Sequence, residues 1–274
     1  MTRQDDIVTV PMSYPSGLHI IDRPADRDGA PTLVLVHGSL DRAESFRRVM
    51  RRLPDVRIVA YDRRGYQDSR AAGMVDMGGH MTDLLDIVSE VRSHGAERVS
   101  VIGHSLGGDV VVGAAIAEPR AFTSIGAFEP PMPWLGFRRP LEDNSQPRTW
   151  TPLADDPGDE AEHFFGRMVS KGSWERLTDE GRASRRADGP ALVADLTGMR
   201  GPAPFDVMAL TVPCIFGMGG AGSQPHHRAG VEWLGTHVPG ATYFEIEGSQ
   251  HGAHLSHPDK FAVYARMVLA QVPV

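Results

Sequence analysis

The stretch "VIGHSLGG" (residues 101–108) decides how this chain reads. An apolar run, "RVSVIG" (98–103), enters a cluster of Gly, His, Ser and Leu. A small-residue helix pattern, "LGGDVVVGAAIAEP" (106–119), follows and stops before Pro119. Gly103-His104-Ser105-Leu106-Gly107 fits G-x-S-x-G between a strand and a helix. A strand that turns at once into a helix forces its turn residue into a strained conformation. Glycines two before and two after let the backbones approach. Ser105 is then held out of the turn, exposed for nucleophilic chemistry. The Leu106 N–H, at the start of the helix, points at the same spot with help from the helix dipole. The bland alternative is a Gly-rich turn carrying an incidental serine; the strand before and the helix after favour the nucleophile.

Working outward, strands and helices alternate. "IVTVP" (7–11) and "GLHIID" (17–22) are short strand candidates. "TLVLVH" (32–37) and "VRIVAYD" (56–62) are continuous apolar runs, as strands buried on both faces require. Residues 41–53 show helix spacing at Phe46, Val49, Met50 and Leu53. Residues 82–95 read as a helix capped by Thr82 and closed by Gly95. "FTSIGAFE" (122–129) is the sixth strand. From Pro130 to about Pro213 no strand pattern is clear; the segment has helical pieces. Alternation then resumes with "VPCIFGM", a helix, "TYFEI" and a last helix. The pattern predicts an α/β fold, a mostly parallel sheet flanked by helices, with a helical cap inserted after the sixth strand. Residues 1–130 and 211–274 would form the core, and 131–210 the cap.

Composition bounds the function. The 274 residues suit one large α/β domain with an insertion, and 41% hydrophobic with 23% charged residues is ordinary for a soluble globular protein. A net charge of −7 leaves nucleic-acid binding to local basic clusters, and "RRVMRR" (47–52) reads as the wet face of an amphipathic helix. The single cysteine, Cys214, permits no intrachain disulfide and reads as a core residue. No signal peptide and no apolar run of roughly 20 residues is present, so the expectation is a cytoplasmic protein with no membrane partner. A homodimer stays open as an assembly.

Several motifs together resemble the α/β-hydrolase superfamily: "LVLVHGSLD" (33–41), "YDRRGYQDS" (61–69), "GHSLGG" (103–108) and "EGSQHGAHLSHPDKFA" (247–262). The resemblance covers essentially the whole chain except the insertion, which corresponds to the family's variable cap. It implies a serine hydrolase with Ser105 as nucleophile and His251, last in chain order, as base. The oxyanion donors would be the amides of Leu106 and Ser39, with Gly38 or Leu40 as near alternatives. His37 and His104 are expected to brace or pack. A metal site built from His251, His254 and His257, or from His226 and His227, is disfavoured: the spacing is not H-E-x-x-H and no carboxylate ligand is evident nearby. The resemblance implies no cofactor and no metal.

The acid departs from the family pattern. Most members carry it after the strand that follows the cap, yet residues 211–231 contain no Asp or Glu. Glu129, ending the sixth strand in "GAFEPP", fits instead. Haloalkane dehalogenases and zearalenone lactonases carry the acid at the end of that strand. Two prolines after it fix the chain's exit. The competing reading is that Glu129 pairs with an arginine at the base of the cap. Glu232 is the runner-up, while Asp62 and Asp109 read as structural. Trp134 and Phe137, close to Glu129, are expected to touch substrate, with Ser39, Leu40, Gly38 and Leu106 beneath. The implied substrate is a moderately apolar ester or lactone. C–C hydrolase, thioesterase and perhydrolase chemistry shares the machinery, and a ligand-binding protein with little turnover is the alternative class. Serine in place of aspartate at 105 argues against epoxide hydrolase and dehalogenase chemistry, which in this family uses a carboxylate nucleophile.

Overall fold

The computed structural model describes residues 17–136 and 150–271. The strand expected at 7–11 and the residue Phe137 lie outside them. Seven strands form one sheet: β1 (Ile20–Arg23), β2 (Thr32–Val36), β3 (Arg57–Tyr61), β4 (Val99–His104), β5 (Ser124–Phe128), β6 (Cys214–Gly219) and β7 (Ala241–Ile246), in the order β1-β3-β2-β4-β5-β6-β7. All neighbours are parallel except β1, which runs antiparallel to β3. β5 (Ser124–Phe128) is the sixth strand of the sequence reading.

The continuous apolar runs have a simple cause. Side chains alternate across a strand, and both faces of this sheet are covered. On β2, Val34 and Val36 join one apolar cluster while Leu33 and Leu35 join the other. The first cluster packs helices α2 (Met77–Ser93), α3 (Leu106–Ala117) and α8 (Pro225–His237). The second packs the short α1 (Arg47–Met50) and the last helix, α10 (Pro258–Ala270). Cys214 is a buried residue of the first cluster. The Tyr264 hydroxyl, buried in the second, donates to the Ile215 carbonyl at 2.7 Å, so its burial leaves no unpaired donor.

Two helices differ from the sequence reading. Helix α2 begins at Met77, earlier than Thr82, because Asp76 accepts from the Gly79 amide at 2.9 Å and caps it; the glycine pair 78–79 hides that start in the sequence. Residues 41–53 keep their inward apolar side chains but split into a 3₁₀ turn (Ala43–Phe46) and a single α-turn.

Between β5 and β6 lie helices α4 (Pro157–Phe165), α5 (Lys171–Glu175), α6 (Asp179–Ala187) and α7 (Gly189–Gly198), with one π-turn, Gly166–Ser170, joining α4 to α5. Helices α4, α5 and α7 share a small apolar cluster of Ala161, Phe165, Trp174 and Leu192, and Leu40 from the loop after β2 completes it. The registers set the carboxyl ends of β4, β5 and β6 side by side: His104 opposes Phe128, and Phe128 opposes Gly217. The residues that follow these strands therefore converge, which is where open α/β sheets bind ligands. A last short helix, α9 (Ala253–Ser256), precedes α10. Among the described residues no helix is long and apolar enough to cross a membrane.

Candidate active site

Ser105 sits between β4 and α3 with φ 53° and ψ −128°. Such a conformation costs a non-glycine residue about 1–3 kcal/mol and persists only where neighbours enforce it. Here they do. The Ser105 amide donates to the Phe128 carbonyl at 2.8 Å, and the Gly108 amide donates to the Ser105 carbonyl at 2.7 Å. A Cβ on Gly103 would stand 2.1 Å from the Gly107 carbonyl oxygen, and one on Gly107 would stand 2.4 Å from that of Val36. One on Gly38 would stand 2.8 Å from the Ser105 Cβ. Glycine is thus dictated at 38, 103 and 107 by close approach.

Glu129 leaves β5 with φ 46°, a second left-handed non-glycine residue. Its carboxylate is fully buried and all its partners converge on it. Oε2 accepts from His251 Nδ1 at 2.6 Å. Oε1 accepts from the Gly219 amide at 2.7 Å and from the Ser223 hydroxyl at 2.6 Å. Burial alone would raise its pKa; the hydrogen bonds from His251, Ser223 and Gly219 outweigh it and hold the carboxyl below its ordinary value. Gly219 ends β6 and Ser223 belongs to the loop that follows, where the family pattern expects the acid itself. That loop supplies donors to a carboxylate coming from the neighbouring strand. Neither residue was singled out from the sequence. The signal available was a loop of Gly and Ser where a carboxylate was missing.

His251 donates through Nδ1, which leaves Nε2 as the acceptor. Its ring is stacked on His227, with centroids 4.7 Å apart at 22°. His104 braces the same loop: its Nε2–H donates to the His251 carbonyl at 2.9 Å. His37 braces the loop after β2, accepting from the Arg63 amide through Nε2 at 2.8 Å and donating through Nδ1 to the Gly38 carbonyl at 2.7 Å. Burial, reinforced by the Arg63 cation, pulls the His37 pKa down to about 3, so the ring is neutral.

Ser105 and His251 share a cavity of about 180 Å³ with Ser39, Leu40, Phe165, Met168 and Arg185. The π-turn carries Met168 over this cavity, and such turns are frequent at functional sites. Trp134 lines a different, mostly apolar cavity of about 590 Å³ together with Leu106, His80 and Met199. The serine's own cavity takes its aromatic wall from Phe164 and Phe165. Gly38 lies against Ser105 and lines neither. The amides of Ser39 and Leu106 donate to no group among the described residues.

A buried polar network beneath this loop was not legible in the sequence. Asp195 of α7 accepts from Arg63 Nη2 at 2.7 Å, from the Tyr66 hydroxyl at 2.6 Å and from the Ser39 hydroxyl at 2.9 Å. Arg63 is fully buried and also donates to the His37 and Gly38 carbonyls and to His80 Nε2. Burial would raise the Asp195 pKa, but the Arg63 cation holds it well below the usual carboxylate range. Of the other acids weighed from the sequence, Asp62 accepts from the Ala43 and Asp68 amides in its turn, and Glu232 lies on α8, 3.8 Å from Arg228.

Two sets of ligand-type atoms near the site lie within 4.8 Å of one another: Asp41 with His104 and His254, and Glu129 with His227 and His251. His257 belongs to neither; its Nδ1 faces the Ser256 hydroxyl.

A sequence model of the alpha/beta hydrolase family matches residues 33–263, most of the chain. The chain belongs to the alpha/beta hydrolase family. Among curated proteins it is 32% identical over 110 residues to "Putative carbamate hydrolase RutD" of Cronobacter turicensis and 31% identical over 112 residues to Epoxide hydrolase A of Mycobacterium tuberculosis. Each match takes in 39% of this chain, and the aligned parts span only 40% and 34% of those relatives. Among solved structures, an alpha/beta hydrolase from Sphaerobacter thermophilus superposes with a TM-score of 0.68 at 21% identity, covering 92% of this chain and 96% of that one. The enol-lactonase from Burkholderia xenovorans LB400 gives 0.67 at 17% identity over 92% and 96%. These two likenesses establish the alpha/beta hydrolase fold.

Proposed function

We propose that this alpha/beta hydrolase is a serine hydrolase of carboxylic esters or lactones of moderately apolar small molecules, working through Ser105, His251 and Glu129. One observation carries the reading: His251 is held at 2.6 Å by a buried carboxylate while sharing its cavity with a serine in a left-handed strand-to-helix turn. Glu129 fixes the tautomer that leaves Nε2 free to accept a proton and stabilises the imidazolium that results.

Ser105 Oγ attacks the substrate carbonyl carbon and passes its proton to His251 Nε2. The carbonyl oxygen, now negative, is received by the Ser39 and Leu106 amides, neither of which donates elsewhere among the described residues. Collapse of the tetrahedral species expels the alcohol, which takes the proton from His251 and leaves an acyl-serine. Water then attacks the acyl carbon, gives its proton to His251, and the acid departs as Ser105 Oγ recovers that proton. The acyl carbon of a carbamate, the group named for one curated relative, would be open to the same attack. The serine at 105 argues against the epoxide opening named for the other. The apolar cavity beyond Leu106 supports an apolar substrate portion. The division we propose is a core of 1–130 and 211–274 under a cap of 131–210, acting in the cytoplasm on a small molecule.

Hydrolysis of 4-nitrophenyl butyrate by wild type, Ser105→Ala and Glu129→Gln tests this, with folding checked by circular dichroism. Both variants should lose several orders of magnitude, and a fluorophosphonate should label Ser105 in the wild type alone. Folded wild type that neither turns over nor labels would overturn the hydrolase reading. Full activity in Glu129→Gln would remove Glu129 from the triad.

A further inference from the structure

Helix α6 carries three arginines, and their pairing runs against their burial. Arg182 hydrogen-bonds the Asp179 carboxylate on the exposed side. Arg186, also near solvent, meets Asp159 at 2.6 Å and Asp156 at 3.2 Å. Arg185 lies deepest of the three, in the lining of the cavity that holds Ser105 and His251, yet no carboxylate of the described residues comes within ion-pair distance of it. Its Nη1 donates to the Leu40 carbonyl at 2.8 Å and its guanidinium lies over the Phe165 ring at 5.2 Å.

A charge removed from water needs a counter-charge or a full set of hydrogen bonds. Arg185 has one carbonyl and one ring face. Its remaining donors, Nε and Nη2, make no hydrogen bond among the described residues and are not sealed off. The nearby acids are engaged elsewhere: Asp188 is 2.6 Å from Arg70, and Asp41, in the same cavity, faces His254 at 3.4 Å. Burial lowers the Arg185 pKa, which is the cost of a cation lacking a close partner. A planar guanidinium with two free donors matches a carboxylate in bidentate geometry.

Resting on the hydrolase reading above, we propose that the substrate carries a carboxylate and that Arg185 receives it in the cavity of Ser105. The cavity, about 180 Å³, confines the anionic portion to a short chain. Arg185 is then a specificity-determining residue: it binds the charged end and so sets which carbonyl stands over the serine.

The test compares kcat/KM on two matched pairs. The acyl-side pair is 4-nitrophenyl butyrate against mono(4-nitrophenyl) succinate. The alcohol-side pair is phenyl acetate against 4-acetoxybenzoate. Each is measured with wild type, Arg185→Gln and Arg185→Lys. Wild type should prefer the anionic member of at least one pair by about tenfold or more, mainly through KM. Gln should bring that ratio to near one, and Lys should keep part of it. A purely structural Arg185, acting through Leu40, would depress both members alike and leave the ratio unchanged; that result overturns the proposal. So does a wild type that hydrolyses neutral and anionic esters equally. If no ester is turned over and Ser105 is not labelled by a fluorophosphonate, the hydrolase reading falls and this one with it.

Discussion

Arg63 and Asp195 meet at 2.7 Å with side chains 0% and 3% exposed, although one follows β3 and the other sits on α7. Removing one partner leaves a buried charge unpaired, which typically costs about 3–5 kcal/mol. Asp195→Asn should lower the stability measured by urea unfolding by roughly that amount. It should also depress hydrolysis, because the Ser39 hydroxyl loses its charged acceptor. The double variant Arg63→Met/Asp195→Leu should be less destabilised than either single change yet remain catalytically impaired. A double variant with wild-type turnover would show that the network serves stability alone.

Ser223 should prove to matter for turnover although it does not line the serine's cavity. Its hydroxyl donates to Glu129 at 2.6 Å and helps keep that carboxylate ionised in a buried place. Hydrogen bonds to a charged form lower its pKa, so losing one raises it. Ser223→Ala should shift the acid limb of the kcat/KM profile to higher pH and reduce the plateau by about tenfold, far less than Glu129→Gln, for which a loss of about 10⁴ is expected. A profile identical to wild type would mean that the Gly219 amide alone suffices.

Stability should fall earlier in acid than carboxylates alone dictate. His37 is buried neutral, with a pKa of about 3 against 6.5 for a free imidazole. Between those values the unfolded chain binds the proton and the folded chain does not, so unfolding is favoured as pH drops. The contribution is intact above about pH 6.5 and fades progressively down to about pH 3. Asp195 and Glu129, both held below their ordinary values, add a loss that begins below about pH 4. Urea midpoints from pH 7 to pH 4 should therefore decline already between 6 and 5, and His37→Gln should lessen that upper part, while buried His104 and His80, also pulled down, keep the remainder.

Glycine positions should separate cleanly. Gly103→Ala places a methyl 2.1 Å from a backbone oxygen, which nothing flexible can relieve, and should cost more than about 3 kcal/mol or prevent folding. Gly166, with φ −59° and nothing within 4 Å of an added Cβ, should accept Ala with a gain of about 0.4–1 kcal/mol. Thermal midpoints of the two variants check both.

What the sequence made legible was local. Strand and helix alternation, the two-sided apolar strands and the serine turn are patterns within a few residues, and the fold follows from them. The carboxylate at Glu129 could be read because its alternative was missing between 211 and 231. Ser223, Arg63, Asp195 and Arg185 could not, since each acts through a partner far away in the chain, and no periodicity encodes such pairs. The segment between β5 and β6 shows the same limit. Phe164, Phe165 and Met168 face the serine's cavity and Trp134 faces another, a matter of how helices dock and not of distance along the chain from Glu129.

The anchors of the segment between β5 and β6 have a consequence for recombination. Asp195 holds Ser39 and Arg63, Asp188 holds Gln67 and Arg70, and Arg185 holds the Leu40 carbonyl. A chimera with seams at 130 and 211 that imported a foreign segment between β5 and β6 would strand a buried guanidinium and cut the loop of Ser39 loose. Residues 38–42 and 62–70 must therefore travel with that segment in any graft. In lineages of this chain, new specificities would arise by exchange of side chains around the cavities more readily than by shuffling that segment as a cassette.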